Sequence, residues 1–287
     1  MTRQRLPVVV IGVGYVGRAL AGDLVEADYE VWGIRRQMDM PPGVRPVAVD
    51  ATDGEALREA LAPLARRPVD VCCLTAPDRG DEAGYRRAYL DVVAATGRAL
   101  SSIRRFLFAS STAVYGDAAG GWVDEATPVA PTRFSGEILV EAEASIRSIA
   151  DETSAVRYGG IYGPTRDRTV RAVRLGRRIA AGPVRHGNRI HRDDCAGVMR
   201  HLLARDTVED VYAAVDDDPA PLAEVERWLC EALGRDPSGL VAPEDGPRGR
   251  GGDKRVRNLR LRQSGYVFRF PSYREGYASL IAAAGLR

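Results

Sequence analysis

The sequence predicts an α/β fold, a doubly wound parallel sheet with helices on both faces, followed by a smaller mixed C-terminal lobe. Two observations carry this prediction. Short apolar runs alternate with amphipathic stretches through the first half of the chain. The first such run, Val8–Ile11, is four consecutive β-branched residues and leads directly into the glycine turn Gly12-x-Gly14-x-x-Gly17 and then a helical pattern. Strands joined through helical crossovers must pair in parallel, with helices covering the sheet.

Taken in order, the strands are expected at residues 8–11, 30–34, 45–49, 69–74, 106–110 and 154–158. The helices are expected at 16–27, 53–65, 81–100, 136–151, 169–180, 192–204 and 221–233. Beyond about residue 160 the alternation loosens and Gly, Pro and Arg rise, which marks a less regular lobe. The stretch 243–253 reads as an exposed loop. The division expected is a nucleotide-binding Rossmann domain over 1–164 and a substrate lobe over 165–287, with the loop 116–135 also lining the substrate cleft.

Composition narrows the function classes. Apolar residues make up 45% and charged residues 28%, the mix of a soluble globular protein. A net charge of +2 gives no ground for a nucleic-acid or membrane partner. No apolar run approaches the roughly 18 residues that span a bilayer. The first strand follows the start so closely that a signal peptide has no room, and a cytoplasmic protein is expected. Cys72, Cys73, Cys195 and Cys230 lack metal-ligand spacing and read as free buried thiols, so no metal is expected. Of 41 basic residues only Lys254 is a lysine. Arginine stays protonated at any working pH, so chemistry that needs a tunable amine is nearly absent from this chain.

The glycine turn has a specific physical reading. Gly12 permits the sharp exit from the strand, Gly14 lets backbone approach a pyrophosphate, and Gly17 lets helix pack closely on sheet. The helix N-terminus, opened by Tyr15 and Val16, offers N–H groups and partial positive charge to phosphates. The second strand ends in Arg35-Arg36, where an NAD enzyme usually carries an acid for the ribose hydroxyls. Guanidinium groups grip a 2′-phosphate by charge-assisted hydrogen bonds, so NADP is the expected cofactor; the alternative is a pair of solvated loop arginines. Asp50, at the end of the third strand, either meets the adenine or caps the helix that follows. The cofactor site is assigned to these residues together with Ala51, Thr75, Ala76 and Ser110.

Three further stretches carry a resemblance. Phe108-Ala109-Ser110-Ser111-Thr112-Ala113-Val114-Tyr115-Gly116, Val156-Arg157-Tyr158-Gly159-Gly160-Ile161-Tyr162-Gly163-Pro164 and Asn188-Arg189-Ile190-His191-Arg192-Asp193-Asp194 resemble motifs of the extended short-chain dehydrogenase/reductase superfamily, also called the NAD-dependent epimerase/dehydratase family. The missing early Thr-Gly pair, Lys254-Arg255-Val256-Arg257-Asn258 and Tyr273-Arg274-Glu275-Gly276 look closest to its atypical YeeZ-like subgroup.

The resemblance implies a catalytic Ser at Ser111 and a Tyr-x-x-x-Lys pair some 20 to 25 residues later. The chain instead reads Arg133-Phe134-Ser135-Gly136-Glu137-Ile138, and no tyrosine occurs between Tyr115 and Tyr158. Phenylalanine has no proton to move, and an arginine is a poor acid–base at neutral pH. Arg133 and Glu137 are spaced for a plain i,i+4 ion pair. Tyr115 and Tyr158 are the candidate proton donors in place of the missing phenol. Thr112, Trp122, Arg133, Arg168 and His191 are assigned to the substrate side, where Trp122 offers an amphipathic cover and arginines near Gly163-Pro164 offer anion contacts. The function expected is an NADP-dependent oxidoreductase acting on a small polar or polyketide-like carbonyl or alcohol. The alternatives are a non-catalytic dinucleotide-binding sensor or scaffold, and a non-redox lyase, isomerase or cyclase. The helices at 81–100 and 136–151 suggest, by analogy with the family, a homodimer contact.

Overall fold

The computed structural model describes residues 5–180, 184–241 and 252–286. Through the first half it runs β1 (Val8–Ile11), α1 (Tyr15–Glu26), β2 (Val31–Ile34), β3 (Arg45–Val47), α2 (Gly54–Ala60), β4 (Val69–Cys73), α3 (Glu82–Arg86), α4 (Val92–Ala99) and β5 (Ile103–Ser111). It continues with β6 (Trp122–Val123), α5 (Phe134–Ser145), β7 (Glu152–Tyr158), β8 (Gly160–Tyr162), α6 (Arg168–Arg174), β9 (Arg189–His191), α7 (Arg192–Ala204) and β10 (Val211–Ala214). The last elements are α8 (Leu222–Ala232), β11 (Arg255–Val256), α9 (Leu259–Gln263) and α10 (Tyr273–Ala283).

The large sheet has the order β3-β2-β1-β4-β5-β7-β10. The β2–β3, β1–β2, β1–β4 and β4–β5 pairs are parallel. The strand order reverses between β1 and β4, the switch point where Rossmann-like sheets receive ligands at their C-terminal ends. Every residue of β1, β2 and β4 is buried, as expected for strands covered on both faces.

Several helices break where the periodicity continues. The stretch expected at 81–100 is α3, a π-helical turn at Arg87–Asp91, and α4. Thr75 Oγ1 donates to the Ala88 carbonyl at 2.6 Å, inserting a side chain into the helical ladder. The stretch at 53–65 stops at Ala60, and a separate 3₁₀ turn containing Pro63 follows. Its cap is Asp53, which accepts from the N–H groups of Glu55 and Ala56, so the capping role considered for Asp50 belongs to Asp53. The stretch at 169–180 ends at Arg174 because Gly176 turns left-handed at φ 73°, and Arg178 N–H pairs with Val241 O instead. Among the elements not anticipated are β10 and α10; the latter begins with a Ser272/Glu275 capping box. Most of the loop expected at 243–253 lies outside the described residues.

The chain divides into two compact units. The first is Met1–Val114, Arg133–Arg157 and Ala196–Tyr212; the second is Tyr115–Thr132, Tyr158–Cys195 and Ala213–Arg287. This differs from a single cut after residue 164, since the second unit takes Tyr115–Thr132 and resumes at Tyr158, and the first takes back Ala196–Tyr212. Within the first unit, the fully buried Arg105 on β5 explains that return. Its guanidinium donates to the carbonyls of Leu202, Leu203, Arg205 and Asp206 at 2.7–3.3 Å, which closes the C-terminal end of α7. Glu152 supplies the counter-charge. A second buried ion pair joins Arg157 on β7 to Glu143 on α5 at 2.7 Å.

The second unit has its own apolar cluster, in which Tyr162, Val173, Val225, Leu229, Tyr273 and Ile281 take part. Its short parallel pairs are β8–β9 and β6–β11. Asp194 is a buried hub there, accepting from Tyr266 Oη and from the N–H groups of Arg269 and Phe270 at 2.8–3.0 Å.

Replacing Arg105 by Met keeps much of its length and strips every one of these donors. Breaking a buried ionic network of this kind costs roughly 3–5 kcal/mol. Urea denaturation of Arg105→Met is therefore expected to show a large loss of stability; a change within about 0.5 kcal/mol, the scale of a surface substitution, would disprove the role assigned to Arg105.

Candidate active site

The glycine turn connects β1 to α1, and its three glycines differ in what surrounds them. Gly12 has φ 90°, and a Cβ there would stand 2.8 Å from the Leu74 backbone. A Cβ on Gly17 would collide with the Gly12 carbonyl. Gly14 is exposed, and a Cβ there would meet nothing nearer than the Gly12 carbonyl at 4.0 Å. Gly14 also caps α1 without a side chain, and the first turn carries no acid. An open approach to a helix N-terminus of positive partial charge fits a pyrophosphate. Tyr15 and Val16 open that helix, half-buried and buried respectively.

Arg35 and Arg36 follow β2, and both have carboxylate neighbours. Asp39, which Arg18 also grips, lies 3.6 Å from Arg35. Arg36 pairs with Asp78 at 2.7 Å and remains 62% exposed. Exposed pairs like these contribute about 0–1 kcal/mol, so they yield readily to a phosphate dianion. Asp50 accepts from Thr52 N–H at 3.0 Å and pairs with Arg87 at 2.7 Å. The Thr52 backbone bond is the largest of the causes that hold its carboxyl below the usual range, with Arg87 adding to it.

The remaining cofactor candidates sit at strand ends of the same unit. Ala51 follows Asp50 and is half-buried; Thr75 and the exposed Ala76 follow β4. Thr75 spends its hydroxyl proton on Ala88 O. Ser110, near the end of β5, is buried and donates to Glu143 Oε1 at 2.6 Å, which joins its hydroxyl to the Glu143–Arg157 pair. Ser111 is half-buried. Its Oγ accepts Ala113 N–H at 3.2 Å, a bond that leaves the hydroxyl proton available. Thr112 is buried at the start of a 3₁₀ turn.

The start of α5 carries neither a tyrosine nor a lysine. Arg133 is the exposed N-cap residue, and no ion pair joins it to Glu137, contrary to the expectation from their spacing. Phe134 packs edge-on against Tyr85, with ring centroids 5.5 Å apart.

Tyr115, Trp122, Tyr158, Arg168 and His191 belong to the second unit. Tyr115 is buried. Tyr158 is also buried and donates to the Cys195 carbonyl at 2.9 Å. Trp122 is 45% exposed, with the guanidinium groups of Arg255 and Arg257 over its ring at 4.8 and 4.9 Å. Arg168 is exposed at the first position of α6. His191 is buried; its Nδ1 accepts Asp193 N–H at 3.2 Å, which puts the ring proton on Nε2. Burial is the main cause that lowers its pKa to about 4, opposed by Asp193, which favours a neutral ring at pH 7. Lys254, the lone lysine, is buried with Nζ donating to Gly116 O at 2.6 Å; burial lowers its pKa.

All four cysteines are free and buried, and burial pushes Cys73 up to about 11. Among the described residues no group of His, Cys, Asp and Glu is arranged to hold a metal, and no helix is long and apolar enough to cross a membrane.

A glycine turn at the switch point of a seven-stranded Rossmann-like sheet defines a dinucleotide-binding α/β protein. More particularly, residues 8–221 match the NAD dependent epimerase/dehydratase family, and the chain belongs to it. Escherichia coli Protein YeeZ is 30% identical over 209 residues, 68% of this chain and 72% of that protein. A Methylobacillus flagellatus structure, described as a candidate NAD-dependent epimerase/dehydratase, is 30% identical with a TM-score of 0.77, covering 98% of this chain and 100% of that one. The human epimerase family protein SDR39U1, solved with NADPH, shares the fold at 20% identity and a TM-score of 0.74, covering 96% of this chain and 99% of its own.

Because space is open at Gly14 and closed at Gly12, the two glycines separate binding from folding. Gly14→Val is expected to weaken dinucleotide binding in equilibrium dialysis while leaving the melting temperature close to wild type. Gly12→Val is expected to destabilise the fold itself. Normal binding by Gly14→Val would mean the turn serves packing alone.

Proposed function

We propose that this chain is an NADP-dependent oxidoreductase acting on a small polar or polyketide-like carbonyl or alcohol. The observation that carries the reading is the unobstructed glycine turn at the head of α1 with Arg35 and Arg36 beyond β2. When bound, the nicotinamide supplies or accepts hydride. Gly12, Gly14 and the first turn of α1 would hold the pyrophosphate, and Arg35 and Arg36 the 2′-phosphate. Both arginines would exchange a solvated carboxylate for a doubly charged phosphate, a gain in charge-assisted bonding at little cost. The NADPH bound by the human relative is consistent with this choice of cofactor.

Ser111 would polarise the substrate oxygen with its unused hydroxyl proton. Tyr115 and Tyr158 are the candidates for the proton step, and the Tyr158 hydroxyl also donates to the Cys195 carbonyl. Trp122 with its two stacked arginines, and Arg168, would contact an aromatic or anionic part of the substrate.

A second reading is favoured by the start of α5. Arg133 and Phe134 supply neither the phenol nor the amine of the usual pair, and Phe134 is occupied in ring packing. A dinucleotide-binding sensor, or a non-redox lyase, isomerase or cyclase, would need neither group.

Cofactor titration tests the first reading. NADPH is expected to bind at least about tenfold tighter than NADH, a difference of ~1.4 kcal/mol, and Arg35→Ala/Arg36→Ala should remove the preference. Equal affinities in the wild type would refute the NADP assignment. Ser111→Ala should slow single-turnover NADPH oxidation by roughly 10²–10³, the scale for losing one donor to a developing oxyanion. A protein that binds NADPH but oxidises it with no compound of a broad carbonyl panel would favour the sensor or non-redox reading.

A further inference from the structure

Among the described residues, four buried side-chain atoms around one strand pair of the second unit lack a hydrogen-bond partner: Tyr162 Oη, Arg189 Nη2, His191 Nε2 and Asp216 Oδ2. Their residues are 2–6% exposed. They also gather in one place. In the parallel β8–β9 pair Tyr162 stands opposite His191 and Gly160 opposite Arg189, so Tyr162, Arg189 and His191 share one face. The rings of Tyr162 and His191 lie 5.4 Å apart. Asp216 joins the group through its N–H, which donates to the Arg189 carbonyl at 2.6 Å. The charges of Asp216 and Arg189 both act on the Tyr162 phenol. Yet the Arg189 guanidinium and the Asp216 carboxyl form no direct ion pair: Nη1 donates instead to Gly187 O at 2.8 Å, and Asp216 Oδ1 accepts Asp218 N–H at 3.3 Å.

A buried polar atom without a partner is expensive, and four together would consume much of the stability of an ordinary domain. Native proteins resolve such groups with ordered water, which needs two to four polar partners. The chemistry of this set selects a neutral occupant. Arg189 opposes a cation and Asp216 opposes an anion. The Arg189 and His191 N–H groups donate, the Asp216 oxygen accepts, and the Tyr162 hydroxyl does either. A molecule with two donors and two acceptors matches.

We propose that the second unit holds a fixed internal water, bound by Arg189 Nη2, Asp216 Oδ2 and Tyr162 Oη, within reach of His191 Nε2. A Cβ on Gly276 of α10 would collide with the Tyr162 hydroxyl, so glycine there lets the phenol tip lie against the helix. The water then links the β8–β9 pair and the segment after β10 beside α10.

Tyr162→Phe keeps the ring and deletes one ligand of the water, so the sign of its effect is diagnostic. With the water present, the melting temperature should fall by roughly 2–4 °C. A dry site would instead be relieved of an unsatisfied hydroxyl, and an unchanged or raised melting temperature would overturn the proposal. A high-resolution crystal structure of the unmodified protein provides the second measurement. Density for a single water within about 3.2 Å of at least two of the named atoms is expected. Direct Arg189–Asp216 contact without solvent, or density for a larger molecule, would overturn it.

Discussion

Two guanidinium groups shut away from water fix the far half of the large sheet. A buried charge is tolerated only when every donor is used, because the penalty for an unmatched one exceeds most single packing terms. Arg105 meets that condition with backbone carbonyls at the end of α7 and the Glu152 carboxylate, and Arg157 directs its Nε and Nη2 at the buried Glu143 carboxylate. The positions of β5, β7, α5 and the last turn of α7 are therefore tied together by directional bonds as well as by apolar burial. This is also why a segment late in the sequence, Ala196–Tyr212, belongs to the first unit. A helix C-terminus seeks positive charge, and the chain supplies it from inside the sheet.

At the opposite side of the switch point the constraint is steric. Gly12 and Gly17 are required by the backbone itself, whereas Gly14 is required by nothing in the described chain. A residue the fold does not need, at the mouth of a helix without a side-chain cap, marks a place kept open for something else. The arginines beyond β2 fit the same logic: their present partners are solvated aspartates on weakly held surface pairs.

Much of this was legible in the sequence, and the failures have physical causes. β1 was plain because a strand buried on both faces needs only apolar, β-branched residues. The glycine turn was plain because its spacing encodes a backbone path. The break in the helix before β5 was not, because it depends on Thr75, a residue distant in sequence that takes the Ala88 carbonyl. The end of α6 at Gly176 and the Ser272-x-x-Glu275 box at α10 were present as signals and went unread. β10, reading Val-Tyr-Ala-Ala, has too little alternation to be told from a helix fragment. Arg105 and Arg157 could not be singled out in a chain that uses arginine almost everywhere. For Tyr158 and His191 the residue type was legible, but their tertiary partners, Cys195 O and Asp193 N–H, were not.

The near-absence of lysine has a consequence for how this protein meets reactive chemistry. Its single ε-amine is sealed behind the Gly116 carbonyl and, being buried, is screened from reagents in solution. Acylating metabolites, acetyl donors and the enzymes that conjugate small proteins to surface amines find no exposed lysine to modify. At the bench, labelling of the Lys254 ε-amine itself by an amine-reactive dye reads out unfolding of its segment rather than the surface of the native chain.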